Sequence, residues 1–160
     1  MRKRLIPEDR PVSDSPDDVW LRLDERADVE ISSEDAAHPI ESALSPGTGT
    51  GTGTGWRAAV PGRQTIRLIF VQPQELHRIR LRFVETAVQR TQEYLLRWSA
   101  DGQTFHEIVR QQWNFSPQGS TSQTEDHQVD LPGAKVLELI ITPDIGNQAA
   151  LASLAEMRLG

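Results

Sequence analysis

Hydrophobic positions in this chain recur with a period of two. In residues 90–113, RTQEYLLRWSADGQTFHEIVRQQW, the apolar Tyr94, Leu96 and Trp98 alternate with Glu93, Arg97 and Ser99. That is the signature of a half-buried strand. Asp101 and Gly102 supply a tight turn, because glycine accepts positive φ without steric cost. Phe105 to Val109 then begins the return strand. Residues 76–84, LHRIRLRFV, alternate most cleanly: Ile79, Leu81 and Phe83 point one way and Arg78, Arg80 and Arg82 the other. A helix would not keep those three arginines on one face, since helical neighbours recur every three or four residues. Residues 65–70 place Ile66, Leu68 and Phe70 on one face, and residues 136–142 do the same with Leu137, Leu139 and Ile141.

The remaining segments are shorter. Residues 19–23 (VWLRL) predict a strand or a short apolar anchor, and residues 29–33 (VEISS) a second. Ser33 is placed to cap a short turn or helix, with Glu34 and Asp35 in its first turn and Pro39 limiting it. Pro61-Gly62 and Pro132-Gly133 predict turns, the second closing a short strand at 128–131, and Pro73 predicts a break between strands. Residues 114–126 and 143–149 read as loops. Residues 151–159 (LASLAEMRL) fit helical spacing through Leu151, Leu154, Ala155 and Arg158, but their place after a run of strands favours a last strand. Residues 1–18 mix Pro, Ser, Asp and Arg and predict a tail or strap ahead of one domain over 19–160. Roughly eight or nine short strands without a long helix predict an all-β fold, an antiparallel β-sandwich or jelly roll.

Composition narrows the function. A chain of 160 residues with 37% hydrophobic and 25% charged residues suits one globular domain. A net charge of −6 argues against nucleic acid as a partner, since sequence-independent binding needs a basic surplus. With no cysteine there are no disulfides, thiolate nucleophiles or zinc–thiolate sites. The start, MRKRLIPEDRPV, has basic residues but no apolar run behind them, so no signal peptide is read. A cytoplasmic location is the expectation. No segment reaches the length of a membrane span.

Several clusters have the residue types for chemistry. The Gly-Thr repeat at 47–55 would need a leading strand and a following lysine to cradle phosphate, and has neither, so it reads as a flexible loop. His38, His77, His106 and His127 lack metal-ligand spacing. Ser32 or Ser33 with His38 and Glu34 has the types of a hydrolase but no elbow motif, and no catalysis is expected. Trp113, Asn114 and Phe115 beside Gln111 and Gln112 suit a sugar, because rings stack on C–H faces while amides bond hydroxyls. Alternatively, Trp113 and Phe115 close the open end of the core. Arg78, Arg80 and Arg82, joined by Arg67 and Arg97, either line an anion or glycan groove or form a solvated face balanced by Glu93 and Glu138.

Taken in order, Gly55-Trp56-Arg57-Ala58, PGRQTIRLIF, LHRIRLRF, YLLRWSADGQTF and ASLAEMRL resemble the coagulation-factor type C, or discoidin-like, domain, whose fold is the galactose-binding-like jelly roll. Ser99-Ala100-Asp101-Gly102 with Phe105 stands where that family has its hairpin turn, and Ser153-Leu154-Ala155-Glu156 where it has its closing strand. The resemblance covers residue 29 to the C-terminus. It implies a non-catalytic module that binds a glycan, a phospholipid head group or a protein through loops at one end. On that basis His38, Arg57, Gln111, Trp113, Asn114 and Phe115 are the expected carbohydrate site. The rival is an intracellular protein-interaction scaffold that uses Arg78, Arg80 and Arg82. The sequence departs from the family where an Asp-Gly-Asp stretch would help to hold calcium: Ala43-Leu44-Ser45-Pro46 and the repeat stand there, leaving Glu156 alone. Calcium takes six to eight oxygens, so no cofactor is expected, a structural calcium at Glu156 being the one exception considered.

Overall fold

Two strands carry the architecture. β3 (Gln64–Val84) and β6 (Ser122–Thr142) are each 21 residues long and pair antiparallel along their length. Laid flat, a strand of that length would span about 70 Å at the usual rise, far more than one domain allows. Both therefore bend, and the register between them shifts repeatedly from Ile69 to Arg78. The computed structural model describes residues 20–44 and 55–160. Within it the other elements are the helical turn α1 (Leu23–Arg26), β1 (Ala27–Ile31), the helical turn α2 (Glu41–Leu44), β2 (Trp56–Arg57), β4 (Arg90–Ser99), β5 (His106–Phe115), β7 (Ser153–Leu154) and β8 (Glu156–Leu159).

The bend divides the strands between two sheets. The first half of β3 and the last part of β6 lie in a five-stranded sheet of order β1-β3-β6-β4-β5. Past the bend, the second half of β3 lies between β8 and the first half of β6. A small antiparallel pair, β2 with β7, adds to one side. The architecture is all-β and antiparallel, a jelly-roll sandwich. Ile66, Leu68, Leu96, Leu139 and Ile141 from the larger sheet and Ile79, Leu81, Phe83 and Leu159 from the smaller one are fully buried between them. Phe83 stacks on Tyr94 across the gap, with ring centroids 5.3 Å apart.

The period-two segments all form strands, but their bounds differ from expectation. Pro73 does not break β3, and Pro132-Gly133 does not end a strand; both lie at the bend, where the ladder is already interrupted and proline's missing N–H costs little. Residues 20–23 do not make a strand; Leu23 is instead a buried apolar anchor at the start of a helical turn over Leu23–Arg26. Ser33 caps no helix. Its hydroxyl accepts from Ala59 N–H at 3.0 Å and donates to Gln64 Oε1 at 2.7 Å, tying the end of β1 to the start of β3. Residues 151–159 are extended, as their context indicated. The β4–β5 turn is held by Asp101, whose carboxylate accepts from the N–H groups of Gln103 and Thr104 and bonds Ser99 Oγ. These donors lower its carboxyl to about 2. Gly55, the last residue of the repeat, has φ of 61°, and a Cβ there would lie 2.2 Å from the Leu154 carbonyl oxygen. The fold itself requires glycine at that position. The expectations for residues 1–18, and for the rest of the repeat apart from Gly55, lie outside the described residues.

Candidate functional site

One end of the sandwich gathers most of the loops. The register puts the end of β1, the start of β3, the end of β6, the start of β4 and the end of β5 at the same level. The segments beyond them meet through backbone bonds. Arg57 N–H donates to His38 O at 3.1 Å, Gly62 N–H to Ala150 O at 3.1 Å and Ile145 N–H to Thr91 O at 2.9 Å. At the opposite end lie the bend, the β4–β5 turn and the pairing of Leu21 with Leu159.

On the β1 side of this end, Asp35, His38 and Arg57 come together. Asp35 and His38 bridge across a two-residue turn, and Asp35 N–H donates to the Arg57 carbonyl at 2.8 Å. His38 Nδ1 lies 3.5 Å from Asp35 Oδ2, too long for a good hydrogen bond, and has no bonded partner among the described residues. The Asp35 carboxyl is held below its usual range, first by the Ala37 N–H and then by His38 and Arg57. Beneath the turn, the buried Trp56 donates its indole N–H to Ser33 O at 3.1 Å. The cluster thus offers an imidazole, a carboxylate and an exposed guanidinium on a braced turn. That donor and acceptor mix suits the hydroxyls of a sugar.

The structure does not bring the other expected residues to this cluster. Gln111, Trp113, Asn114 and Phe115 lie on β5, the opposite edge strand of the five-stranded sheet, about 19 Å away at the usual strand spacing. Phe115 is fully buried beneath the Arg90 guanidinium, 5.0 Å from its ring, and belongs to the core rather than to a binding surface. Trp113 is half-buried and donates its indole N–H to Ser120 Oγ at 3.1 Å. Asn114 is exposed on the outer face and accepts from the Thr91 hydroxyl at 2.7 Å. Gln111 is half-buried on the inner face. Asp35 was read from sequence only as a first-turn carboxylate, since a two-residue bridge between Asp35 and His38 leaves no periodic trace.

The arginines divide between two surfaces. Because β3 passes around the bend, Arg67 and Arg97 face out from the five-stranded sheet, whereas Arg78, Arg80 and Arg82 face out from the smaller one; they do not form a single groove. Arg67 and Arg97 are both paired with the buried Glu138. Arg78 and Arg80 share Asp126, at 2.6 and 3.0 Å, and both guanidinium groups lie over the Trp20 ring. Arg82 has no ion-pair partner among the described residues. Bonds from Arg78 and Arg80 lower the Asp126 carboxyl to about 2 despite its partial burial. A depressed carboxylate stabilises the fold above its unfolded value near 4, and that stabilisation is lost as pH falls toward 2. Asp126→Asn is therefore expected to lower stability at pH 7 by about 1 kcal/mol, after allowance for solvent screening, and to differ from the wild type by much less near pH 2. Urea denaturation at both pH values checks it.

Among the described residues, cationic groups flank Glu156. Its carboxylate bonds Arg158 at 2.7 Å and sits opposite Arg82 in the strand register, so cationic groups already occupy its surroundings. Among the described residues no group of three or more His, Asp or Glu is placed to hold a metal ion, and no helix is long and apolar enough to cross a membrane.

No protein-family model matches the sequence, and no curated protein matches it. Solved structures do share the fold. The Clostridium perfringens module CpGH89CBM32-5, in complex with GalNAc-β-1,3-galactose, superposes with a TM-score of 0.62 at 17% identity, covering 88% of this chain and 98% of that one. The family 32 carbohydrate-binding module of C. perfringens NanJ, in complex with galactose, gives 0.60 at 17% identity, covering 88% and 97%. A Ruminococcus gnavus GH29 fucosidase gives 0.63 at 10% identity, covering 89% of this chain but 26% of the larger one. The chain thus shares its β-sandwich fold with these structures, one of which is a larger enzyme that it matches over only part of its length.

Proposed function

We propose that this protein is a non-catalytic, discoidin-like carbohydrate-binding module whose glycan site is the loop end around His38, Asp35 and Arg57. The observation that carries the reading is the braced turn that sets an imidazole, a carboxylate and a guanidinium together on the loop end of a fold used by carbohydrate-binding modules. A sugar presents hydroxyls that both donate and accept, and the three groups meet both needs. Glycan binding is supported further by the galactose and GalNAc-β-1,3-galactose complexes of the similar structures. The scaffold reading is less supported, because Arg78 and Arg80 already share Asp126 and Trp20, so that of the three arginines Arg82 alone lacks an ion-pair partner among the described residues.

The test is a broad glycan array probed with the purified protein, with calcium and with a chelator. Saturable binding to a defined set of glycans is expected, unchanged by the chelator because Glu156 is committed to Arg158. A blank array under both conditions would overturn the reading and favour the protein scaffold.

A further inference from the structure

A second polar surface lies on the flank of the sandwich, between β5 and the first half of β6. β5 is the free edge of the five-stranded sheet, and the first half of β6 is the free edge of the smaller sheet. Register sets Gln92, Gln111 and Trp113 on the inner face of the larger sheet, and Gln123, Glu125 and His127 on the inner face of the smaller one. On the other strands the inward positions are mostly Ile, Leu and Phe. A run of inward polar residues on adjoining strands breaks the binary pattern that a sandwich core requires, and such breaks concentrate at functional sites.

The polar groups are incompletely satisfied. Gln92 and Gln123 are 1% and 3% exposed, and Gln92 Nε2 and Gln123 Oε1 have no partner among the described residues. Gln123 Nε2 donates to Glu125 Oε1 at 3.1 Å. The Tyr94 hydroxyl bonds His127 Nε2 at 2.7 Å, and burial, with the nearby Glu125 carboxylate, pushes that hydroxyl up. Gln111, Trp113, Glu125 and His127 are partly exposed, so solvent reaches the flank beside its buried amides. It holds one carboxylate and amides that donate and accept. Beneath it the Arg90 guanidinium is buried and bonded to Glu85, Gln92 and the Pro143 carbonyl.

From this juxtaposition we infer a second binding site, for a neutral oligosaccharide, on the β5–β6 flank, with Trp113 as the stacking surface and Gln111 and Glu125 as the hydroxyl-binding groups. An indole beside amides and one carboxylate matches the apolar C–H faces and hydroxyls of a hexose. Among the described residues Arg90, the cation beneath the flank, is already paired with Glu85, and Glu125 makes no ion pair, so an acidic sugar would meet its uncompensated charge. The inference shares with the loop-end site only its ligand class, and the two surfaces use different residues.

The test is an NMR titration of the assigned protein with soluble galactan, mannan and β-glucan, with polygalacturonate as the acidic comparison. At least one neutral polymer is expected to shift the Trp113 indole N–H and the His127 ring in the wild type and equally in His38→Ala. Gln111→Leu with Glu125→Gln, in a variant of unchanged melting temperature, should weaken that binding at least tenfold. Shifts confined to residues around His38 would overturn the flank site and leave the loop-end site standing. Trp113 and His127 unmoved by any polymer, a stronger response to polygalacturonate, or unchanged affinity in the double variant would each overturn it as well.

Discussion

Replacing Trp56 by alanine should cost about 4 kcal/mol of folding stability, the range typical of a large aromatic removed from a tight core. Trp56 is fully buried, pairs with Leu154 across the small sheet and donates its indole N–H to Ser33 O. It therefore holds together three segments distant in sequence: the end of β1, β2 and β7. Because Ser33 leads directly into the turn of Asp35 and His38, the same substitution should weaken glycan binding wherever the variant still folds. Trp56→Phe separates the two roles, retaining most of the packing while losing the indole hydrogen bond, for a cost of about 1–2 kcal/mol. Urea denaturation of the three proteins checks both values. A loss below about 1 kcal/mol for Trp56→Ala would mean that the loop end is anchored elsewhere.

Glu138→Ala should be nearly as damaging, at about 3 kcal/mol. The outer face of the larger sheet carries one row of registered charges: Glu30, Arg67, Glu138, Arg97 and Glu107, one from each strand. Glu138 stands at the centre, 1% exposed; its Oε2 takes Arg67 Nε at 2.8 Å and Nη2 at 2.7 Å, and its Oε1 accepts from Arg97 Nε. Removing it leaves two guanidinium groups side by side, with Arg97 further confined by the Phe105 ring at 4.5 Å. Glu30 sits at the exposed end of the row, so Glu30→Ala should cost less than about 1 kcal/mol, as exposed ion pairs do. Equal effects at the two positions would show that the row is not organised around Glu138.

The contrast between what the sequence revealed and what it concealed has a physical basis. Alternation in residues 76–84 and 136–142 exposes the strands directly, because burying one face forces a period of two. It cannot show that β3 and β6 each continue through Pro73 and Pro132, since a bend at an interrupted ladder looks like a strand end when the partner strand is unknown. The separation of Arg67 from Arg80 follows from that same bend. The resemblance placed His38 and Arg57 on end loops, and the structure brings the two together beside Asp35. Phe115 was misplaced because a terminal aromatic beside amides has the same composition whether it faces a sugar or closes the core; only the register with Arg90 shows it to be closed. Of the inward polar positions of β6, Gln123 and Glu125 fell in residues read as loop and His127 between that loop and a short strand, so their common face could not be seen.

The most direct test of the central claim is calorimetric titration of the strongest glycan from the array into wild type, His38→Ala and Arg57→Ala. The account predicts saturable binding by the wild type and at least about tenfold weaker binding by each variant, roughly the 1.4 kcal/mol or more carried by a lost charged hydrogen bond, with melting temperatures unchanged. Wild-type affinity in both variants would contradict it.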